Sequence, residues 1–343
     1  MLTTHFSGLK HVVLIGGGDL MALAASAFKA SQFEVSVIIA NRHLDEPLTH
    51  ANDTLKSYLV NQQIAFHCVD DINQLSEQQQ CQLIPEHALA MCFGPAWIFS
   101  SQLIKHFSFG MFNINAIPIP HYLGGAHYTW QLLNQDHQGG CFLQQITEQV
   151  DQGDILAEHK FTIPENASSP EEYFAQNINE GLTFIKQLIQ RFSDNEPFIH
   201  QAYETLNEER LYLPRLRTDK QGFVNWQWSA TDIVAFIKGF DSPYMGAGTV
   251  INSQNVRLKG AKIIKLSPAM HPFATGLIVR KTTSQFVIAA PQGFLTVGSV
   301  INEHGQCIKD KLKEGMRFHT PTKLLEQALA YQVILDANGF KEQ

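Results

Sequence analysis

Cysteine is scarce and scattered in this chain. Its five cysteines, Cys68, Cys81, Cys92, Cys141 and Cys307, form no C-x-x-C pair. That argues against a disulfide framework or a zinc site and fits a reducing compartment. No apolar run approaches the ~18 residues that suggest a membrane helix. The opening MLTTHFSGLK lacks the layout of a signal peptide, so the expectation is a soluble, cytoplasmic protein with no membrane partner. Low-complexity tracts and internal repeats are missing too. The histidines do not cluster at ligand spacing, and no metal is implied. Positive charge is absent from residues 106 to 159, which hold no Lys or Arg, although the net charge of the whole chain is only -7. Residues 1 to 204 carry 8 Lys+Arg against 21 Asp+Glu, and residues 205 to 343 carry 17 against 11. A basic back half fits either an anionic ligand or, more plainly, a solvated surface.

What is present divides into two textures, and 343 residues leave room for two domains. In the front half, HVVLIGGG is a buried strand running into glycines, DLMALAASAFKAS has helical spacing, and FEVSVIIA is a second strand. HALAMCFG predicts another buried strand, followed by a helix over PAWIFSSQLIKHF and a strand over GMFNINA. A helix follows the Gly-Gly turn in GGAHYTWQLLNQ, then a strand in GCFLQQIT and a loop and strand in VDQGDILAEHKFTI. The long helix after it opens with Ser169, Pro170, Glu171 and Glu172, a cap, a first-turn proline and first-turn carboxylates. Such alternation predicts a doubly wound, mostly parallel sheet with helices on both faces. Near residue 194 the periodicity fades into a charged, turn-rich stretch. Beyond the short helix DIVAFIKGF come short strands at regular spacing, the pattern of a small β-barrel or sandwich. The expected organisation is a catalytic α/β domain over 1–195, a linker over 196–215, a smaller β-rich domain over 216–320 and a C-terminal helix over 321–343.

Two places invite chemistry. Gly16, Gly17 and Gly18 sit where a dinucleotide loop would, but Met21 holds the third glycine position and the second strand ends in Asn41 rather than an acid. A tight strand-to-helix turn is the preferred reading there. The stretch FNINAIPIPHYLGGAH places Asn113 and Asn115 two apart at the end of a strand, so both amides face one side. Strands disfavour Asn, and a buried amide needs partners. Asp151 follows in the loop after the next strand. Amides can donate to a developing oxyanion and a carboxylate can take up a proton from an amine. That set suits acyl transfer to an amine, beside the blander reading of a polar structural network.

FGPAWIFSSQLI, FNINAIPIPHYLGGAHYTWQLLNQD and ITEQVDQGDIL resemble the core of the formyltransferase family that uses 10-formyltetrahydrofolate. That family includes methionyl-tRNA formyltransferases and amino-sugar N-formyltransferases. Its pattern of N-x-H, a proline turn, glycine, a helix and then D-x-G-x-I is matched by Asn113, Pro118, Pro120, Gly124, Asp151, Gly153 and Ile155. LPRLRTDKQGFVNWQWS and FDSPYMGAGTVIN resemble the family's C-terminal β-domain, so the resemblance runs from about residue 10 to 320. It implies catalytic roles for Asn113, Asn115 and Asp151. It also implies a formyl donor lying against residues 92 to 97, with Phe93, Gly94, Pro95 and Trp97 on one side and Asp151 and Gly153 on the other.

The departure is Asn115, which occupies the position of the family histidine. Asn can donate to an oxyanion but cannot titrate near neutral pH. Three explanations stay open at this stage: a changed site that recruits His121 or His127, a homologue that binds without catalysis, or an inactivated form of a histidine enzyme. A tRNA acceptor needs Lys and Arg around the site's mouth, and residues 106 to 159 offer none. Methionyl-tRNA formyltransferase is therefore the alternative, and nucleic acid is not the expected partner. The resemblance implies an N-formyltransferase acting on a nucleotide-linked amino sugar for cell-surface polysaccharide. His121, Tyr128, Trp130, Arg215 and Arg217 are then the acceptor-binding candidates, and assembly as a homodimer is left open.

Overall fold

The computed structural model describes residues 2–149, 151–282, 286–336 and 339–342. The front half builds β1 (His11–Gly16), α1 (Gly18–Lys29), β2 (Glu34–Ala40), α2 (Leu55–Asn61), β3 (Phe66–Val69), α3 (Glu77–Leu83), β4 (Ala88–Phe93), α4 (Ser101–His106) and β5 (Met111–Asn115). It continues with α5 (His127–Leu133), β6 (Gln138–Gln145), β7 (Ile155–Thr162) and α6 (Pro170–Ser193). The strands form one seven-stranded sheet in the order β7-β6-β5-β4-β1-β2-β3. Pairs from β3 through to β5 are parallel, and β6 joins β5 antiparallel.

Alternation along the strands explains why helices cover both faces. Val12, Leu14, Val37, Ile39, Leu89 and Met91 belong to one core cluster, whose helical side includes Met21, Phe28, Phe184 and Leu188. Val13, Ile15, Ile38, Ala90 and Cys92 belong to another, which includes Ile72, Phe99, Leu103 and Phe107. Helix α6 starts as its sequence predicts, with Ser169 Oγ accepting the Glu172 N–H at 3.2 Å.

Two helical expectations are corrected. The helix foreseen from Pro95 begins only at Ser101, because residues 97 to 100 are tied elsewhere. The Trp97 indole N–H donates to Asp70 O at 3.0 Å, the Ser100 N–H to Asn73 Oδ1 at 2.8 Å, and Ser100 Oγ caps α4 through Leu103 N–H at 3.3 Å. The expected C-terminal helix over 321–343 stops at Ala330. Tyr331 is extended, with φ -72° and ψ 129°, and a hairpin of Val333–Asp336 and Gly339–Glu342 follows; Val333 and Ile334 are β-branched residues that favour strands.

The chain falls into two compact units that do not follow it in two blocks. The first holds Met1–His121, Gly139–Phe161 and Gln176–Arg210; the second holds Tyr122–Gln138, Thr162–Ala175 and Leu211–Gln343. This partition runs across the sequence limits expected above. The 196–215 stretch also carries order of its own. Phe198–Ile199 pairs with Thr3–Thr4, residues 203–209 form a 3-10 helix, and Tyr212–Leu213 pairs with Leu123–Gly124.

In the second unit, α7 (Ala230–Gly239) packs with two four-stranded sheets. One has the order β14-β9-β8-β15, from β8 (Ala247–Ile251), β9 (Gln254–Lys259), β14 (Ser299–Asn302) and β15 (Phe318–His319). The other has the order β10-β13-β12-β11, from β10 (Lys262–Ile264), β11 (Ile278–Lys281), β12 (Phe286–Ala290) and β13 (Gly293–Thr296). No helix among the described residues is long and apolar enough to cross a membrane.

Phe6 anchors the first unit's N-terminal segment, with ring centroids 4.9 Å from Phe192, 5.1 Å from Phe198 and 5.9 Å from Phe112. Phe6→Ala is expected to lower stability by about 3–5 kcal/mol in urea unfolding. A loss under about 1 kcal/mol would show that this aromatic cluster is not the anchor.

Candidate active site

Strand β5 sends alternate residues to opposite faces. Phe112 and Ile114 enter one core cluster and Met111 the other, which puts the half-buried Asn113 and Asn115 on the Met111 face. Both neighbouring strands meet them in register. Cys92, near the end of β4, pairs with Asn113, and on the other side Gln144 of β6 lies directly opposite Asn113 while Phe142 faces Asn115. The two amides are thus flanked by the strand that leads into residues 94 to 97 and by the strand that leads to Asp151.

Gln144 is a site residue that the motif reading missed. It is buried, and its Nε2 donates to two backbone carbonyls, Asp151 O and Gly153 O, each at 3.1 Å. Its Oε1 faces Asn115 Nδ2 at 3.4 Å. One side chain therefore links Asn115 to the loop that carries Asp151. No local pattern marks Gln144, because its role arises only from the register between β5 and β6.

The loop itself is tightly made. A Cβ on Gly153 would sit 1.9 Å from Gln145 O, so the third position of D-x-G has room for glycine alone. Asp151 adopts a left-handed backbone with φ 54°, which is uncommon for a residue with a Cβ. Burial raises the pKa of its carboxyl even though the residue keeps solvent contact, and the Arg210 guanidinium pulls the pKa down. Desolvation is the first cause, since neighbouring protein disfavours the charged form of the carboxyl group, although Asp151 as a residue is exposed. Tyr203, also missed, is buried with an unpartnered hydroxyl, and its pKa is raised by burial first, lowered by Arg210 and raised by Asp151. Asn113 Oδ1 is another buried polar atom with no partner among the described residues. Buried polar atoms without partners mark where a ligand's polar groups can be accommodated.

The remaining candidates are distributed as follows. Phe93 is buried at the end of β4, and its carbonyl accepts the Gly17 N–H at 3.1 Å. Gly16 sits so close to Phe93 that a Cβ would lie 2.0 Å from its carbonyl oxygen, which explains the glycine run as a tight strand-to-helix turn. Gly94 has φ 53°, Pro95 and Trp97 are half-buried, and His121 is exposed. No hydrogen bond among the described residues joins His121 or His127 to Asn113, Asn115 or Asp151. His127, Tyr128, Trp130, Arg215 and Arg217 belong to the second unit. Burial drives the His127 pKa down to about 4, so its ring is neutral at pH 7. Tyr128 packs on the His127 ring, with centroids 4.0 Å apart. Arg217 grips Asp219 in two contacts of 3.0 and 3.1 Å. Trp130 and Arg215 line a cavity of 690 Å³ together with Tyr212, Phe223, Trp228 and Phe236. Among the described residues no group of three or more His, Cys, Asp or Glu is placed to hold a metal ion.

Replacing Gln144 by Leu keeps the bulk but strips two carbonyls of their donor. Unpaired buried groups cost about 1–3 kcal/mol each, so faster amide exchange across residues 151 to 155 is expected. Exchange at the parental rate would mean that Gln144 does not hold the loop.

Comparison with known proteins adds the family. Residues 9–182 match the pattern described as Formyl transferase, and residues 217–311 match Formyl transferase, C-terminal domain. The chain is 23% identical over 253 residues to the methionyl-tRNA formyltransferase of Malacoplasma penetrans (strain HF-2), covering 73% of this chain and 76% of that protein. It is 26% identical over 201 residues to the methionyl-tRNA formyltransferase of Syntrophus aciditrophicus (strain SB), covering 57% and 60%. The N-formyltransferase of Helicobacter canadensis, solved with folinic acid and dTDP-3-aminofucose, has a similar structure with a TM-score of 0.59 at 17% identity, covering 84% of this chain and 98% of that one. WlaRD, a sugar 3N-formyl transferase solved with dTDP and 5-N-formyl-THF, gives a TM-score of 0.60 at 16% identity, covering 85% and 98%. With the first of these patterns spanning half of its length and the second following in order, the chain belongs to the formyl transferase family.

Proposed function

We propose that this protein is an N-formyltransferase that moves a formyl group from 10-formyltetrahydrofolate to the primary amine of a nucleotide-linked amino sugar, in the cytoplasm, for cell-surface polysaccharide. The observation that carries the reading is the chain of contacts from Asn115 through Gln144 to the loop bearing Asp151, whose carboxyl has a raised pKa. A carboxylate with a raised pKa is a better proton acceptor near neutral pH. The folate donor fits the groups present: Asn113 Oδ1 is buried with no hydrogen-bond partner among the described residues, and the Asp151 carboxylate acts electrostatically on the buried Tyr203 hydroxyl. When bound, the donor supplies the formyl carbon.

The chain's own residues divide the work. The amide groups of Asn113 and Asn115 would donate to the carbonyl oxygen as negative charge develops on it. Asp151 would accept the proton that the attacking amine gives up as it bonds to the formyl carbon, and would return it to the donor nitrogen whose bond to that carbon breaks. Gln144 would keep Asn115 and the Asp151 loop in mutual register. Phe93, Gly94, Pro95 and Trp97 would form the wall against the donor, with Gly153 opposite, and His121 would border the acceptor. Asn115 does not titrate, so the reading leaves proton transfer to Asp151 alone.

For the acceptor, the 690 Å³ cavity that joins Trp130 to Arg215 suits a flat ring against indole and a phosphate against guanidinium. Arg217, which pairs with Asp219, is a second phosphate candidate. The dTDP-3-aminofucose bound by the Helicobacter canadensis N-formyltransferase of similar structure, and the absence of Lys and Arg from 106–159, support a small acceptor. The second reading, methionyl-tRNA as acceptor, is favoured by the sequence relatives.

Incubation with 10-formyltetrahydrofolate and a panel of nucleotide-linked amino sugars, beside methionyl-tRNA, separates the two. The expected result is a nucleotide sugar that gains the mass of CO; formylated methionyl-tRNA as sole product would replace this reading with the second. The pH profile tests the base. Arg210→Ala removes the charge that lowers the Asp151 pKa, so the acid limb of kcat/KM is expected to move to higher pH. The acceptor amine's own titration would not move, and an unshifted limb would exclude Asp151 as the titrating group.

A further inference from the structure

A second tie reaches the Asp151 loop from outside the sheet. His200 Nδ1 lies 2.9 Å from Asp154 Oδ2, and His200 Nε2 lies 2.8 Å from Thr4 Oγ1. The imidazole is buried, with only 6% of its side chain exposed. These three groups come from segments far apart in sequence. Thr4 belongs to the N-terminal strand that pairs with Phe198–Ile199, and Asp154 follows Asp151 in the same turn. Backbone bonds reinforce the junction: Ile155 and Gln201 exchange hydrogen bonds of 3.0 and 2.9 Å, and the His200 N–H donates to Leu2 O at 2.9 Å.

The direction of the bonds follows from the chemistry. The Asp154 carboxylate only accepts, so Nδ1 carries the proton and donates to it. In the tautomer with the proton on Nδ1, Nε2 accepts from the Thr4 hydroxyl. Hydroxyl, imidazole and carboxylate stand in the order of an acyl-transfer triad. Here, however, the hydroxyl sits in a paired strand and the carboxylate belongs to the loop that carries Asp151, so the arrangement holds the loop.

We propose that His200 is a positioning residue for formyl transfer: with Thr4 behind it, it pins Asp154 and thereby fixes the left-handed turn at Asp151. The proposal rests on the reading of Asp151 as the proton acceptor. Gln144 holds the turn's carbonyls from the sheet side, and His200 holds its carboxylate from the side of the N-terminal strand. With both in place, Asp151 keeps φ 54° with no side-chain hydrogen bond among the described residues, which leaves its carboxylate available.

His200→Phe keeps a ring and loses both bonds, whereas His200→Gln offers an amide donor and acceptor on one planar group. Thr4→Val removes only the outer hydroxyl. Each full-length variant is compared with the parent for amide exchange at 151–155, thermal midpoint, and kcat and KM on an acceptor that the parent formylates. His200→Phe is expected to lower kcat by up to about 100-fold, since small misplacement of a catalytic group has that effect. The acceptor KM should stay within about twofold, because binding that is equal in ground and transition states is untouched. His200→Gln should recover most of the rate, and Thr4→Val should fall between parent and His200→Phe. Parental kcat in His200→Phe, or no recovery in His200→Gln at a parental midpoint, overturns the proposal. If His200→Phe does not fold, Thr4→Val and His200→Gln decide, and parental exchange and kcat in Thr4→Val overturn it. If the parent transfers no formyl group, the functional reading fails separately, and exchange alone decides the pin: unchanged exchange in all three variants overturns it.

Discussion

Gln144 stands opposite Asn113 on the neighbouring strand, and its amide is held between Asn115 and two carbonyls of the Asp151 loop. A polar side chain inside a sheet is costly unless every bond is made. Here the bonds that satisfy it also set the distance between the two parts of the site. The requirement that Gly153 lie against Gln145 O and the left-handed turn at Asp151 both follow from bringing the loop close enough for Gln144 to reach. Strand register, loop path and carboxylate placement are therefore one constraint.

Within that constraint the replacement of the family histidine is chemically intelligible. A histidine at 115 would bring a titratable ring. Asn115 brings an amide donor linked to Gln144, and in the function we propose the proton goes to Asp151, whose pKa is raised. Burial holds His127 neutral, with a pKa of about 4, and no hydrogen bond among the described residues joins the exposed His121 to Asn113, Asn115 or Asp151.

Much of this was legible in the sequence because it is local. The apolar runs of β1, β2, β4 and β5 and the Ser169 cap of α6 state their own structure, and Asn113, Asn115 and Asp151 are visible as polar residues out of place. The edge strand β3 was not, since two of its four residues are exposed and its apolar pattern is weak. Gln144, Tyr203, Arg210 and His200 were not, since each acquires meaning from a partner distant along the chain. The true start of α4 depended on tertiary bonds from Asp70 and Asn73 that no helical periodicity records. The compact units escape a linear reading for the same reason: each gathers segments that are separated in sequence.

The central claim is that Asp151 is the proton acceptor of a working formyl-transfer site despite Asn115. Asp151→Asn keeps the shape of the side chain and removes its basicity. The direct measurement is the initial rate of formyl transfer in this variant beside the parent, at equal folded fraction. The account predicts a fall of about 100-fold or more, the usual contribution of a general base. A rate equal to that of the parent would contradict the assignment of this loop to the chemistry.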